Sequence, residues 1–440
     1  VGRTRRRDFL KTTALAGAGF WISYGYGRAE SRSPNEKLNI GVIGCGGKGS
    51  SDTENASSEN IVALCDVDDH RAAGTFKKFP DAKRYKDFRE MLDKEKTLDA
   101  VIVSTPDHTH APASAMAIRL GKHVYCQKPL THSVYEARRL RDLAREYQVA
   151  TQMGNQGTAH PGFRKGVEVI QSGAIGPVRE VHVWTNRPIW PQGVERPMAE
   201  AVPDHVAWDL WLGPAPDQPY SSKYVPFSWR GYWDFGTGAL GDMACHTANL
   251  AFLSLKLGSP ATIEAETDGT GTDVSPPKKS KITFEYPARG DMPPVKLVWY
   301  DGGNRPPEEL SHGRRLSSSG LLLVGDEGVF FSPNDYGAEH ILLPEEKFKD
   351  YQPPADVLPR LADGGDRGHM QEFIAACKGG SPAMSNFDYA ATMTESILLG
   401  NVAMRVGKKL EWDAQRLAAT NCPEAAQYVR REYRKGWELG

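Results

Sequence analysis

Three groups of residues in this chain have types and spacings that can do chemistry. Lys128 follows the apolar run 123–126 in Gln127-Lys128-Pro129, so its amine can project from the carboxyl end of a buried strand. Desolvation there is expected to pull its pKa toward neutrality and suit it to acid–base work. Asp242 and His246 stand four residues apart in a stretch that reads as a helix, and therefore share a face. An Asp that orients or charges a His is an acid–base device. On spacing alone each has a plainer alternative, a surface lysine before a turn proline and an exposed helical ion pair.

The third group is Gly44-x-Gly46-x-x-Gly49, which includes Gly47 and Lys48 and is followed by Asp66. It comes directly after the apolar run 38–43, and a second apolar run ends at Asp66, about 20 residues beyond the glycines. A strand, a glycine turn, a helix start, a second strand and a terminal acid make a dinucleotide cradle. Gly44 makes the tight turn, Gly46 admits a pyrophosphate to the backbone N–H groups, and Gly49 lets helix and strand close. The phosphates then meet the positive end of the helix. Asp66 accepts from a ribose 2′-hydroxyl and repels a 2′-phosphate, which favours NAD over NADP. A bound NAD accepts hydride, so the first two groups would handle the proton of an alcohol.

These elements sit in an ordered pattern. Strand-like and helix-like runs alternate from 38 to 153, as in a doubly wound parallel sheet, and ligands of such sheets bind beyond the carboxyl ends of the strands. Ser104, Thr105, Pro106 and His110 follow the fourth strand, and Asn155 and Gln156 follow the sixth; all are expected along the cofactor path. A helix at 161–172 should leave Arg164 exposed. Beyond it come a strand at 178–184, a Trp- and Pro-rich loop region to about 233 and a long helix at 238–257. Strands follow at 261–266, 281–286, 295–300, 320–324 and 329–331, then helices at 370–378 and 389–406, with a helical tail from 422. The reading is α/β, with an N-terminal Rossmann sheet and a C-terminal α+β domain built on a large, mainly antiparallel sheet. The expected boundaries are 30–37 for a linker, 38–156 for the nucleotide domain, 157–412 for the substrate and oligomerisation domain, and 413–440 for a charged tail.

The net charge of −1 gives no electrostatic case for nucleic acid. No segment after the N-terminus approaches the length of a membrane span. Arg5-Arg6-Arg7-Asp8-Phe9-Leu10-Lys11, ahead of an Ala- and Gly-rich segment, resembles a twin-arginine export signal, with 1–29 as the signal and cleavage after Ala29. That expectation places the protein in the periplasm or otherwise outside the cytoplasm, loaded with its nucleotide before export. All six cysteines are expected as thiols; none has metal-ligand spacing, so no metal is expected.

The glycine stretch with Asp66, Ser104-Thr105-Pro106-Asp107-His108-Thr109-His110, Gln127-Lys128-Pro129 and the segment from Gly238 to His246 together resemble the Gfo/Idh/MocA oxidoreductases. The resemblance implies that Lys128, Asp242 and His246 are the catalytic set and contact substrate, and that a dimer or tetramer forms. Two departures stand out: the family's usual Glu-Lys-Pro is Gln127-Lys128-Pro129 here, and the acid often found three positions after the histidine is Asn249. The tryptophan-rich segment suggests a carbohydrate site, with Arg164, Arg187, Trp190 and Trp233 as candidate contacts. The leading expectation is NAD-dependent hydride transfer at a ring alcohol of a sugar, cyclitol or glycoside. The alternative is glycoside hydrolysis or elimination through transient ring oxidation with a tightly held NAD, and a non-catalytic binding protein ranks third.

Overall fold

The computed structural model describes residues 36–439, so the arginine motif and the site after Ala29 lie outside the described residues. The first half alternates β1 (Asn39–Ile43), α1 (Lys48–Asn55), β2 (Asn60–Cys65), α2 (Asp69–Lys78), β3 (Lys83–Tyr85), α3 (Phe88–Lys94), β4 (Ala100–Val103), α4 (Asp107–Arg119), β5 (His123–Cys126), α5 (Val134–Tyr147) and β6 (Thr151–Met153). The strands form a six-stranded sheet in the order β3-β2-β1-β4-β5-β6, and every pairing is parallel. Continuous apolar runs suit them, because helices cover both faces. The strand order reverses between β1 and β4, which opens a crevice above their carboxyl ends. Helix α4 starts at Asp107. Pro106 precedes it in extended conformation, and an acid in the first turn favours a helix start. His108 and His110 are therefore helical residues, not loop residues.

The second half contains α6 (Pro161–Gln171), β7 (Val178–Trp184), α7 (Trp208–Leu212), α8 (Gly238–Thr247), α9 (Asn249–Ser254), β8 (Thr262–Thr267), β9 (Ser280–Tyr286), β10 (Val295–Tyr300), β11 (Gly320–Gly325), β12 (Val329–Ser332) and β13 (Ile341–Leu343). After them come α10 (Glu345–Phe348), α11 (Asp366–Cys377), α12 (Phe387–Val406), β14 (Leu410–Asp413), β15 (Ala418–Ala419) and α13 (Ala426–Val429). Nine strands form one sheet in the order β13-β12-β11-β7-β10-β9-β8-β14-β15, antiparallel except for β7 beside β10. Strands β11 and β12 pair as an antiparallel hairpin.

Two expectations fail. The long helix 238–257 is broken at Ala248 into α8 and α9. Thr247 donates its hydroxyl to the Met243 carbonyl at 3.0 Å, a back-bond that bends helices, and the Asn249 amide is held by Thr158 at 2.8 Å. The tail is not helical beyond Val429; it runs on irregularly to Leu439.

The two halves share one apolar core. Val103 and Leu140 belong to the same buried cluster as Leu240, Phe252 and Leu399. Helix α12 packs against both α5 and α8, and Arg138 of α5 grips Glu395 of α12 through two bonds of 2.9 and 2.6 Å. The crevice above the Rossmann sheet is therefore walled by a rigidly attached second half. Among the described residues no helix is long and apolar enough to cross a membrane.

Candidate active site

The crevice above β1 and β4 is a cavity of about 350 Å³ lined by Gly44, Gly46, Asp66, Thr105, Lys128 and Trp437. In the sheet order Lys128 follows β5 on one side of the crevice and Phe88 follows β3 on the other. Gly44 has φ of +78°, which only glycine adopts without strain. A Cβ on Gly49 would lie 1.7 Å from the Gly44 carbonyl oxygen, so α1 approaches the turn as closely as backbone allows. Asp66 is buried, and its two oxygens accept from the N–H groups of Gly46 (2.8 Å) and Asp68 (3.0 Å). Each oxygen keeps a lone pair for a ribose hydroxyl. The Thr105 hydroxyl is buried here with no partner, and an orphaned polar atom in a dinucleotide-shaped crevice fits a bound NAD.

Other cofactor candidates do structural work. The Ser104 hydroxyl donates to Asp52 at 2.7 Å. His110 is fully buried and bridges the carbonyls of Thr105 and Pro129, each at 2.8 Å, so it ties together the two loops flanking the crevice and does not line the cofactor path. Asn155 is also fully buried; its oxygen accepts from the Ser385 hydroxyl and its amide donates to the Cys245 carbonyl at 3.4 Å. Gln156 opens a short 3-10 turn beside it. Gly47 takes φ of +55° under the Arg71 guanidinium, and Lys48 bridges Asp52 (3.0 Å) and Asp366 (3.1 Å) at the crevice edge.

Gln127 shows why its position is not a glutamate. Its amide donates to Asp52 at 2.9 Å, and burial already pushes the Asp52 carboxyl up against the pull of Lys48. A second carboxylate there would face the first. Gln127→Glu is expected to lower stability at pH 8 by about 1–3 kcal/mol. Asp52→Asn should restore it, and thermal unfolding of the single and double variants checks this. Asn249 is likewise structural, buried and accepting from the Tyr389 hydroxyl at 2.7 Å.

Lys128, Asp242 and His246 do meet, but not in the expected pairing. The Lys128 amine donates to Asp242 Oδ1 at 2.8 Å and to the Asp242 carbonyl at 3.0 Å, and Arg230 Nε reaches the same Oδ1 at 3.0 Å. Asp242 therefore orients Lys128 and not His246. Burial pulls the Lys128 pKa down, yet the Asp242 carboxylate outweighs it and leaves the amine above its ordinary value, contrary to the lowering expected from desolvation alone. Burial opposes ionisation of Asp242, but Lys128 and Arg230 hold its carboxyl well below the usual range. Burial and the Lys128 charge hold His246 well below its ordinary pKa. Its Nδ1 is buried without a partner. The cluster thus presents a charged lysine and a neutral imidazole one helical turn from Asp242, able to donate and to accept a proton respectively.

Among the substrate candidates, Arg187 is half-buried, donates to its neighbour Asn186 and does not line the crevice. Arg164 is fully buried, not exposed, and spends its guanidinium on the carbonyls of Thr158 and Pro359 and on Glu372. It faces inward because α6 packs against α9 and the 156–159 turn, and an ion pair with Glu372 keeps the charge satisfied. Trp190 is 6% exposed and bonded to Gln192; it supports Arg230 from 5.9 Å. Trp233 points its N–H at the Thr272 carbonyl and lines a separate small cavity with His132 and Arg405. Large aromatic rings in a loop-rich segment pack on one another before they pack on ligand, as the cluster of Trp208, Trp211, Tyr224 and Phe235 shows. His369 is fully buried and bonds the Met153 carbonyl at 2.8 Å.

Three site residues carried no usable signal in the sequence. Arg230 had only its place in an aromatic stretch; it is sandwiched at 4.3 Å from Trp229 and 4.8 Å from Phe227. Tyr336 comes from the loop after β12, and its ring stands edge-on to His246 at 5.1 Å. Asp107, at the start of α4, is buried and accepts from the backbone and hydroxyl of Thr237 at 3.1 and 2.8 Å. Burial pushes its carboxyl up to about 7 against the pull of Arg230. An unfolded Asp titrates near 3.9, so between these values the folded state holds a proton that the unfolded chain has lost. Stability should therefore fall as pH rises from about 4 to about 7, by at most about 1.4 kcal/mol per unit. Asp107→Asn, which keeps the acceptor, should flatten that part of the curve in denaturant titrations.

The six cysteines are all unpaired, and no group of three possible metal ligands occurs among the described residues. Comparison with known proteins places this geometry. Residues 38–155 match an oxidoreductase family described by its NAD-binding Rossmann fold, and residues 168–292 match the family's C-terminal alpha/beta domain, together more than half of the chain. The chain belongs to the Gfo/Idh/MocA family. An inositol 2-dehydrogenase of Rubrobacter xylanophilus is 30% identical over 150 residues, covering 33% of this chain and 43% of the relative. A glycosyl hydrolase family 109 protein of Solibacter usitatus is 34% identical over 155 residues, 31% of this chain and 35% of that one. The chain thus spans less than half the length of these curated relatives. An inositol dehydrogenase homologue from Azotobacter vinelandii, solved with NADH and myo-inositol, shares the fold with a TM-score of 0.57 at 15% identity, over 86% of this chain and 98% of that one. An aldose-aldose oxidoreductase from Caulobacter crescentus gives 0.55 at 16% identity, over 86% and 100%.

Proposed function

We propose that this Gfo/Idh/MocA protein is an NAD-dependent oxidoreductase acting on a ring secondary alcohol of a sugar, cyclitol or glycoside. The observation that carries the reading is Lys128 at the crevice wall, held by Asp242, with His246 one helical turn further along α8. Lys128 is charged and held by Asp242, while His246 is neutral with an unpartnered nitrogen. Gly44, Gly46, Asp66 and Thr105 would hold the NAD, which when bound supplies the hydride acceptor. Lys128 donates a hydrogen bond to the reacting hydroxyl and stabilises the charge it develops, and His246 takes the proton. Arg230 and Asp242 present a donor and an acceptor side by side, a set that reads adjacent hydroxyls. The family's inositol dehydrogenases and the names of its sugar-oxidising neighbours support the substrate class.

A second reading follows from the similarity to the glycosyl hydrolase family 109 protein. Oxidation of one ring carbon acidifies the neighbouring C–H, so the same acid–base pair could drive loss of a leaving group and then restore the alcohol. Incubation with sugars, cyclitols and aryl glycosides separates the two. Stoichiometric reduced cofactor without cleavage supports the dehydrogenase, and aglycone release without net reduction supports the cycle. Neither signal on any compound would sink both readings.

Export through the twin-arginine route, with NAD loaded first, is proposed from residues 5–11. Cell fractionation checks it; a cytoplasmic pool unaffected by replacing Arg6 and Arg7 with lysine would count against it. Assembly into dimers or tetramers is proposed from the family resemblance, and light scattering measures it.

A further inference from the structure

The end of the chain takes part in the nucleotide crevice. After α13 the backbone leaves the second half and returns along the Rossmann half, pinned at successive points. Arg431 bonds Glu136 of α5 at 2.9 Å and also the His108 carbonyl, and the Tyr433 hydroxyl reaches the same Glu136. The Arg434 backbone donates to the Pro214 carbonyl at 3.2 Å, and its guanidinium reaches Asp217 at 2.6 Å. The tail then passes over the start of α3, where Arg89 donates to the Gly436 carbonyl at 3.4 Å. There Trp437 is set down, 6% exposed, with the Arg89 guanidinium 3.9 Å from its ring and Phe88 at 5.8 Å. Arg89 is itself fixed by Asp87 at 2.7 Å.

Trp437 lines the same cavity as Asp66 and Lys128. It packs on Phe88 after β3, whereas Lys128 follows β5, with three strands between β3 and β5 in the sheet. In a cradle of this kind the glycines take the pyrophosphate and the acid after β2 takes the adenosine ribose. The base therefore lies beyond Asp66, where the walls are Val67, Phe88, Pro106, Leu210, Trp211 and Trp437. Five of these are apolar residues of the Rossmann half and of the 203–213 segment. The sixth comes from the segment 430–439, far from the others in sequence. Backbone pairing closes the roof: the Asp69 N–H donates to the His205 carbonyl at 3.1 Å and the Ala207 N–H to the Val67 carbonyl at 2.8 Å.

We propose that the C-terminal tail is a clamp on the adenine of the dinucleotide, with Trp437 as the outer wall of the base pocket. The proposal rests on the nucleotide reading of the Rossmann half and not on the identity of the substrate. An indole against a base is worth enough to change binding by an order of magnitude or more, and the pinned tail supplies it without an ordering step on binding. The nucleotide is then enclosed at its adenosine end by a segment that must peel away before the base can leave.

The test is calorimetric titration of full-length protein, freed of retained nucleotide, with ADP-ribose and with nicotinamide mononucleotide. Trp437→Ala should weaken ADP-ribose by about 10- to 100-fold while leaving the mononucleotide within about twofold, and Trp437→Phe should fall between. Should the alanine variant fail to fold, the selective loss in Trp437→Phe decides the matter. Unchanged ADP-ribose affinity overturns the clamp, and so does a parallel loss of both ligands, which marks a general distortion. Wild-type protein that binds neither ligand overturns the nucleotide reading as well, a result distinct from failure of the clamp alone.

Discussion

Lys128→Met is expected to lower kcat/KM by about 10³-fold, within the range seen when a positioned acid–base and charge-stabilising group is removed. The substitution keeps the aliphatic stem, so the side chain still fills its place beside α8. Asp242 loses its bond to the amine but keeps the one from Arg230 at 3.0 Å, which prevents an unpaired buried carboxylate. The fold and NAD affinity should therefore survive, and the loss should fall on turnover. Lys128→Arg is not expected to rescue, because a planar guanidinium cannot replace the ammonium that bonds both Asp242 Oδ1 and its carbonyl. Steady-state kinetics on the best compound of the panel, with a melting curve as control, checks the prediction. Turnover within a few-fold of wild type would remove Lys128 from the chemistry and shift the weight to His246.

Gly49→Ala should abolish nucleotide binding, with affinity for NAD falling by at least about 100-fold and stability by about 1–3 kcal/mol. The added carbon would sit 1.7 Å from the Gly44 oxygen and 2.8 Å from the carbonyl carbon, both main-chain atoms that no rotamer change can move. Relief requires α1 to lift from the turn after β1. That turn is fixed in place, since the Gly44 N–H donates to the Cys65 carbonyl at 2.8 Å and Ser104 packs on its far side. Lifting α1 would also pull Asp52 away from Ser104 and Gln127, which stand next to Lys128. The defect should spread from the pyrophosphate to the catalytic end. Thermal unfolding and ADP-ribose titration measure both parts; wild-type affinity in the variant would refute the packing argument.

The Rossmann half was legible because its signals are local. Apolar runs four to six residues long, a glycine turn and an acid at the end of β2 need no distant partner to be read. Strands β7 and β10 were likewise found at Val178–Trp184 and Val295–Tyr300, since their patterns are dense and their ends are sharp. The short strands β13 and β15 were missed: two or three residues carry no periodicity, and such strands exist only by pairing with a neighbour. The break between α8 and α9 was missed for a related reason. A Thr–Asn pair in an apolar helix reads as helix until Thr158, far away in sequence, takes the Asn249 amide.

By itself the sequence determined the parallel sheet of the Rossmann half, the glycine turn with Asp66 at the end of β2, and the helical spacing that puts Asp242 and His246 one turn apart. These follow from backbone sterics and spacing, which act over a few residues. Tertiary structure alone decided who pairs with whom. Arg230 enters from an aromatic loop and, with Lys128, takes Asp242; the lysine stays charged, the reverse of what desolvation by itself implies, while burial and the lysine's charge leave the histidine neutral. It also buried Arg164 and Trp233 away from the crevice and brought Trp437 into it from the far end of the chain. A charge's protonation and a ring's role depend on what surrounds them in space, and those neighbours are set by packing between segments distant in the chain.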